Sequence, residues 1–157
     1  MAKKPPKPRN AVFFHHPDAV DTSRPRLLGR HVAGEGALKG FVRHAGVETF
    51  FAHTLSRDHF EDFQRRVKAI DPDGRPCRWV PLGDMGKEGE AALPTTLTLP
   101  DPMMAPFAWR RRARDDRAYS IVGVNHAIAS DRIMDGLGEL VTAPFQPWDA
   151  LICTSHA

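Results

Sequence analysis

The sequence predicts an α/β domain built on a doubly wound parallel sheet with helices on both faces. Three observations support this prediction. Short apolar runs alternate with amphipathic helical segments along most of the chain. Hydrophobic residues make up 41% of the 157 residues, which is enough apolar material for one core. The length is close to the common size of a single domain, so residues 11–157 are expected to form one unit.

Residues 1–10 are basic and rich in proline, and we expect them to form a disordered tail. No apolar run follows them as in a secretory signal, and no run of about 20 apolar residues indicates a membrane span. The net charge of +3 does not form a basic stripe with interleaved aromatic residues, so no nucleic-acid partner is predicted. Cys77 and Cys153 are too few for a disulfide framework, which favours a reducing, cytoplasmic location.

The first predicted strand, 11–15, is an apolar run that Pro17 and Asp18 close. A long loop then leads to a helix over about 32–44, which Gly46 ends. Apolar residues recur along this helix at spacings of three and four, which places them on one buried face. These residues are Leu38, Phe41, Val42 and Ala45.

The next elements repeat the same alternation of strand and helix. Residues 47–52 form the second predicted strand, and Ser56 caps a second helix. One side of that helix is apolar and is expected to pack inward: Phe60, Phe63, Val67 and Ile70. The segment 71–74 has the composition of a turn, and the third and fourth strands are predicted at 78–82 and 96–99.

A helical stretch follows at 101–114, and the helix is expected to begin at Pro106, since proline suits the first turn. Five arginines crowd its end: Arg110, Arg111, Arg112, Arg114 and Arg117. We interpret this run mainly as a solvated helix face. The alternative interpretation is a patch that meets phosphate or another subunit.

The chain ends on a strand, a helix and a final strand. The fifth strand is predicted at 119–124, Ser130 caps a helix at 131–141, and the sixth strand is 150–153. The apolar side of this helix is expected to pack inward: Ile133, Met134, Leu137, Leu140 and Val141. Six strands alternating with four helices predict a three-layer, Rossmann-like parallel sheet.

Ligands of such sheets bind outside the carboxyl ends of the strands. His15, His16 and Asp18 follow the first strand, but adjacent histidines on a strand point to opposite faces, so a shared metal ion is not predicted. Asn125 and His126 end the fifth strand. The imidazole of His126 can donate a hydrogen bond to a sugar hydroxyl, act as acid or base, or cap nearby backbone, and the residues leave these roles open.

The segment 34–40 has the spacing GxGxxxG, which approaches a dinucleotide fingerprint. That motif needs its glycines directly after the first strand, whereas nearly twenty residues intervene here, so nicotinamide binding is not favoured. Two interpretations remain open. Gly34 and Gly36 let backbone N–H groups approach an anion at the start of the helix, or they ease a loop into that helix.

Three segments in order resemble passages of bacterial glycosyltransferases of the family-4-like GT-B class. Residues 26–41 resemble their first loop and helix, 123–132 their fifth-strand segment, and 144–155 the passage that ends their amino-terminal domain. The resemblance covers most of the chain from Val12 onward.

The resemblance implies an enzyme of two Rossmann-like domains that face each other across a cleft. The amino-terminal domain holds the acceptor, the other holds the nucleotide-sugar, anomeric configuration is retained, and no metal is needed. It implies that His126 orients the donor sugar as a catalytic residue. It further implies that six residues line the donor or acceptor side of the cleft: Gly34, Gly36, His15, Asp18, Arg30 and Asn125.

The family's paired-glutamate motif and nucleotide site belong to its second domain, which this sequence does not include. We therefore expect the acceptor-side half of a retaining transferase, inactive alone, with a nucleotide-sugar as co-substrate and no other cofactor. The expected partners are an acceptor and the donor domain. The alternative expectation is a non-catalytic α/β domain that binds a partner protein or an anionic ligand.

Overall fold

The structure, a computed structural model, describes residues 10–23, 25–26, 28–85, 93–126 and 130–153. Nearly all of the predicted tail lies outside the described residues. The described chain contains a six-stranded sheet and helices on both of its faces.

All strands of the sheet run parallel, in the order β3-β2-β1-β4-β5-β6. The strands are β1 Val12–Phe14, β2 Phe50–His53, β3 Cys77–Trp79, β4 Thr96–Thr98, β5 Ser120–Asn125 and β6 Ala150–Cys153. At the centre, β1 pairs with β4 through Val12 with Leu97 and Phe13 with Thr98. This is the strand order of the Rossmann fold, so the predicted fold class is confirmed.

The helices of the described chain are α1 Pro17–Val20, α2 Gly29–His44, α3 Arg57–Ile70, α4 Ala105–Arg112 and α5 Asp131–Thr142. Ser56 and Ser130 cap α3 and α5 as predicted, because each hydroxyl accepts a hydrogen bond from a backbone N–H of the first turn. Gly46 follows the end of α2 with φ +61°, the left-handed conformation that favours glycine.

The first two helices differ from the predictions. The loop predicted after the first strand contains α1, whose first turn is fixed by Pro17 and by the His16 imidazole, which accepts from the Asp18 N–H at 3.2 Å. Helix α2 begins at Gly29, three residues before its predicted start. No capping serine precedes Gly29, so the sequence carried no ordinary signal for this start.

The core has one cluster on each face of the sheet. On one face, Phe13 and Phe50 pack against Leu38 of α2 and Phe63 of α3. On the other face, residues of β1, β4 and β5 pack against α4 and the segments around it: Val12, Leu97, Ile121, Met104 and Ala108. Side chains of one strand alternate between the two clusters, as the period of a strand requires.

Two sequence predictions about burial are wrong. Met134 and Val141 of α5 are exposed, at 54% and 89% of their surfaces, because the buried side of that helix is centred on Gly136. A Cβ on Gly136 would lie 2.5 Å from the sulfur of Met103, so the helix approaches that segment closely. Arg111, predicted on a solvated face, is only 1% exposed.

Helices α2 and α3 cover only part of their face of the sheet. The side chains of Val122, Val124 and Ile152 lie on the same face as Phe13, since register partners share a face. Neither hydrophobic cluster of the described residues includes these three, and Ile152 is 51% exposed. We call Thr98, Val122, Val124, Ala150 and Ile152 the open face. No helix within the described ranges is long and apolar enough to cross a membrane.

Candidate functional site

The strand order reverses between β1 and β4, and the carboxyl ends of these strands form the crevice where ligands of this fold bind. His15 and His16 follow β1, and Asp101 lies just beyond β4. Asn125 and His126 lie at the end of β5, the next strand along the sheet. Because adjacent strands are about 4.8 Å apart, β1 and β5 lie about 10 Å from each other.

His15 is completely buried at the end of β1. Its Nε2 lies 2.9 Å from Oδ2 of Asp62 on α3, and its ring packs edge-on against Phe63. Burial lowers the pKa of His15 below its ordinary value, although the bond to Asp62 opposes that shift. The neutral imidazole therefore donates Nε2–H to the carboxylate, and Nδ1 has no partner among the described residues.

Asp62 connects this histidine to two arginines of its own helix. Its Oδ2 accepts from Arg66 Nε at 2.7 Å, and its Oδ1 accepts from Arg65 Nη2 at 3.0 Å. Partial burial raises the pKa of Asp62, but the hydrogen bonds from Arg66 and His15 outweigh this and lower it overall. Arg66 also donates to the Val20 carbonyl at 3.1 Å, so this network joins β1, α1 and α3.

His16 lies beside His15 but serves a different element. It caps α1, and its ring meets the ring of His59 edge-on with 4.5 Å between centroids. Asp18 is exposed in the first turn of α1. Both histidines lie beyond the end of β1 and both contact α3, His15 at Asp62 and His16 at His59, so the alternation of side chains along a strand does not apply to them. Within the described ranges, no three His, Cys, Asp or Glu residues form a group that could hold a metal.

His53, at the end of β2, was not selected from the sequence. It is 8% exposed and packs near Phe14, and burial lowers its pKa although its backbone hydrogen bond opposes that shift. Its Nδ1–H donates to the Val80 carbonyl at 3.0 Å, which leaves Nε2 as an acceptor with no partner among the described residues. Its position as the last residue of an apolar strand was the available signal.

His126 directly follows β5, as predicted. The residue is half-buried, and its Nδ1 is enclosed without a hydrogen-bond partner in the part of the chain that the structure describes. Asn125 pairs in register with Cys153 at the end of β6 and is also half-buried. Together they place an imidazole and an amide at the carboxyl end of the sheet.

The glycines of the GxGxxxG segment do not open the helix, so that part of the prediction is wrong. Since α2 begins at Gly29, its free N–H groups belong to its first turn, and Gly34 and Gly36 lie inside the helix. A Cβ on Gly34 would lie 2.1 Å from the Ala19 carbonyl oxygen. Gly34 therefore lets α2 pack directly on α1, whereas Gly36 is exposed with open space around it.

Arg30, which the sequence analysis expected to line the cleft, lies in the first turn of α2. Its side chain is exposed, and its Nε lies 3.2 Å from Nε2 of the buried His31. The Nδ1 of His31 accepts from the N–H of Leu28 at 3.3 Å, so this histidine helps to cap the helix. A guanidinium thus lies at the end of α2 that faces the carboxyl edge of the sheet.

The segment between β4 and α4 forms part of the crevice and packs against β5. Asp101 Oδ1 accepts from the Met103 N–H at 2.9 Å. A Cβ on Gly123 would lie 2.5 Å from the Met104 sulfur and 3.0 Å from the Asp101 carbonyl oxygen. Glycine at 123 therefore allows this segment to approach β5 closely.

A shallow, solvent-open cavity of about 410 Å³ lies elsewhere, at the amino ends of the strands. Its lining residues precede or begin β4, β5 and β6: Thr95, Arg117, Tyr119, Ser120 and Trp148. We refer to it as the amino-edge cavity. It is on the opposite edge of the sheet from His126, so it does not belong to the crevice.

Comparison of this chain with protein families, with curated proteins and with solved structures finds no match.

Proposed function

We propose that this chain is the amino-terminal, acceptor-side half of a retaining glycosyltransferase. The full enzyme would transfer a sugar from a nucleotide-sugar to a small-molecule or glycan acceptor. The observation that supports this most is the position of His126 at the carboxyl end of β5, beside the crevice. Its Nδ1 is buried and makes no hydrogen bond to any described residue.

The strand order supports a ligand crevice at this place. In a doubly wound sheet the crevice opens where the order reverses, here between β1 and β4, and β5 flanks it. Close packing at Gly34 and Gly123 fixes α2 and the segment after β4 around it. The crevice wall is thus built on rigid elements, which is what precise orientation of a substrate requires.

His126 has one role in the proposed reaction. Its imidazole holds a hydroxyl of the donor sugar, while the bond between the anomeric carbon and the diphosphate oxygen breaks. The acceptor oxygen forms the new bond on the same face, and its proton leaves with the nucleoside diphosphate. Arg30 and Asp18 line the acceptor side of the cleft in this proposal, whereas His15 is completely buried and does not. Asn125 lies beside His126 at the end of β5. Stabilisation of the transition state needs groups from both walls of the cleft, so this chain alone is expected to have no transfer activity.

The test uses the complete reading frame that contains this chain, assayed for turnover of nucleotide-sugars. His126→Ala is expected to lower kcat/KM about 100-fold or more, the order of effect of a lost transition-state contact. The matched control is His44→Ala, because His44 is exposed at the last turn of α2, on the other edge of the sheet. Full activity of His126→Ala, or no turnover of any nucleotide-sugar by the wild type, would reject the proposal.

A second candidate function rests on the open face. A partly uncovered apolar strand face, with Val122, Val124 and Ile152, is a surface on which a partner protein can pack. A non-catalytic binding domain becomes the better explanation if the complete reading frame encodes no second α/β domain. Substituting Ile152→Asp should then abolish complex formation and leave the fold intact.

A further inference from the structure

We propose that the amino-edge cavity is a second binding site, separate from the crevice, and that its ligand is an anionic sugar. The site combines a guanidinium from Arg117, an indole from Trp148 and hydroxyl groups from Thr95 and Ser120. A volume of about 410 Å³ is large enough for a monosaccharide, one side of which would remain exposed to solvent.

The cavity is remote from the crevice. Ser120 begins β5 and Asn125 ends it, and a strand advances about 3.3 Å per residue, so about 17 Å separates the two edges along this strand. A ligand the size of one sugar ring cannot contact His126 and Arg117 together. The two sites can therefore be tested independently.

Arg117 is the residue that selects for negative charge. Its guanidinium makes no hydrogen bond or ion pair within the described residues, whereas both Nη groups of nearby Arg111 donate to partners of their own. The backbone N–H of Arg117 donates to Asp115 Oδ1 at 2.9 Å, which fixes the turn that carries it. Neither Asp115 nor Asp116 is among the described residues that line the cavity. A guanidinium without a partner is suited to a phosphate or carboxylate.

Trp148 supplies the apolar wall of the cavity. Trp148 is 46% exposed, so one surface of its indole is available to a ligand. Tyr119 borders the cavity but is only 4% exposed, because its ring packs in the core and its hydroxyl donates to the Phe107 carbonyl at 3.1 Å. The apolar C–H face of a pyranose ring can pack on such an aromatic surface.

The hydroxyl groups lie at the starts of β4 and β5. Ser120 Oγ is 3.0 Å from Thr96 Oγ1 and donates to the Thr95 carbonyl at 3.3 Å, which leaves it able to accept one more hydrogen bond. The Thr95 hydroxyl makes no hydrogen bond to the described residues and is exposed. An aromatic wall, two hydroxyls and one cation together match a ring that carries hydroxyls and one negative group.

The test titrates this chain with four probes, glucose 6-phosphate, glucuronate, glucose and inorganic phosphate, and follows tryptophan fluorescence and amide NMR shifts. Glucose 6-phosphate and glucuronate are expected to bind, with shifts at Ser120 and Trp148. The two other probes are expected to bind about tenfold more weakly, since glucose lacks the negative group and inorganic phosphate lacks the sugar ring. Comparison of the phosphate and the carboxylate identifies which anion the guanidinium prefers.

Two variants and two matched controls make the result specific. Arg117→Gln should weaken the binding of both anionic sugars about tenfold, to the affinity of glucose. Trp148→Leu should weaken the binding of all three sugars. Arg112→Gln and Trp109→Leu change an exposed arginine and an exposed tryptophan of α4 and should have no effect. Circular dichroism confirms that each variant is folded.

Three results would overturn the proposal: no sugar binds, inorganic phosphate binds as tightly as glucose 6-phosphate, or Arg117→Gln binds as the wild type does. The outcome does not depend on the proposed glycosyltransferase function. His126→Ala should leave binding at this cavity unchanged, so failure at one site is distinguishable from failure at the other.

Discussion

Arg111 and Asp149 are joined by two parallel hydrogen bonds, with 2.6 Å from Nη1 to Oδ1 and 2.7 Å from Nη2 to Oδ2. Both side chains are almost completely buried. The guanidinium also donates to the carbonyls of Tyr119 and Pro144, and the carboxylate also accepts from the N–H of Ile121. This pair therefore connects α4, the start of β5 and the turn before β6.

Arg111→Ala is expected to lower the free energy of unfolding by about 3–5 kcal/mol, because it leaves the Asp149 carboxylate buried without its cation. Urea denaturation followed by circular dichroism measures the loss. The control is Arg112→Ala, whose exposed side chain should matter by about 0.5 kcal/mol or less. Equal stability of the two variants would show that the pair contributes nothing.

The free energy of unfolding should decrease as the pH is lowered, because two histidines, His15 and His53, are buried. Burial holds the pKa of each below the ordinary histidine value. Below about pH 6.5 the unfolded chain binds protons that the folded chain excludes, so the free energy of unfolding decreases until the pH reaches the lowered pKa. Each unit of pKa depression is worth about 1.4 kcal/mol.

The measurement is Tm from about pH 8 to about pH 5 for the wild type and for His15→Gln, in which this contribution is removed. The variant should show a shallower decrease of Tm with falling pH, whatever its absolute stability. His44→Gln, an exposed histidine, should keep the wild-type slope. A slope that His15→Gln leaves unchanged contradicts the prediction.

Gly34→Ala should destabilise the protein by about 1–3 kcal/mol or more, since the new Cβ would overlap the Ala19 carbonyl. Gly36→Ala, two residues along the same helix, has open space around it and should stabilise by about 0.5–1 kcal/mol. Thermal unfolding of the two variants measures whether each substitution lowers or raises the stability. The same sign for both substitutions would contradict the packing of α2 on α1.

The two cysteines should react with thiol reagents at very different rates. Burial raises the pKa of Cys77 to about 11, so only about one thiol in a thousand is ionised at pH 8. Cys153 is exposed at the end of β6. One equivalent of a disulfide reagent should therefore modify Cys153 first, which peptide mass mapping after a short reaction would show. Preferential labelling of Cys77 would contradict its burial.

The strands and longer helices were predictable because their patterns are local. Alternation, serine caps and the glycine after α2 depend on neighbours in the sequence, and these features are confirmed. The position of Arg111 was not predictable from its neighbours. Its partner Asp149 lies in a different part of the chain, so five arginines that look alike in sequence include one that is buried.

The positions of two candidate site residues along the chain were predictable, but their contacts were not. Parallel strands bring their carboxyl ends to one edge, which located His15 and His126 correctly along the strands. The hydrogen-bond partner of His15 is Asp62 on α3, which approaches His15 only through tertiary packing. The close contact at Gly34 likewise depends on α1, a helix too short to predict from periodicity.

The pairing of β1 with β4 has a consequence for how the chain folds. Each of the other pairings in the sheet joins strands that are consecutive along the chain, so the segments before and after residue 85 can each form their pairs early. Joining Val12 to Leu97 requires closure of a far larger loop, whose entropy is lost before that contact forms. We therefore expect the pairing of β1 with β4 to form last in the sheet, so its amides should be the last to gain protection from hydrogen exchange.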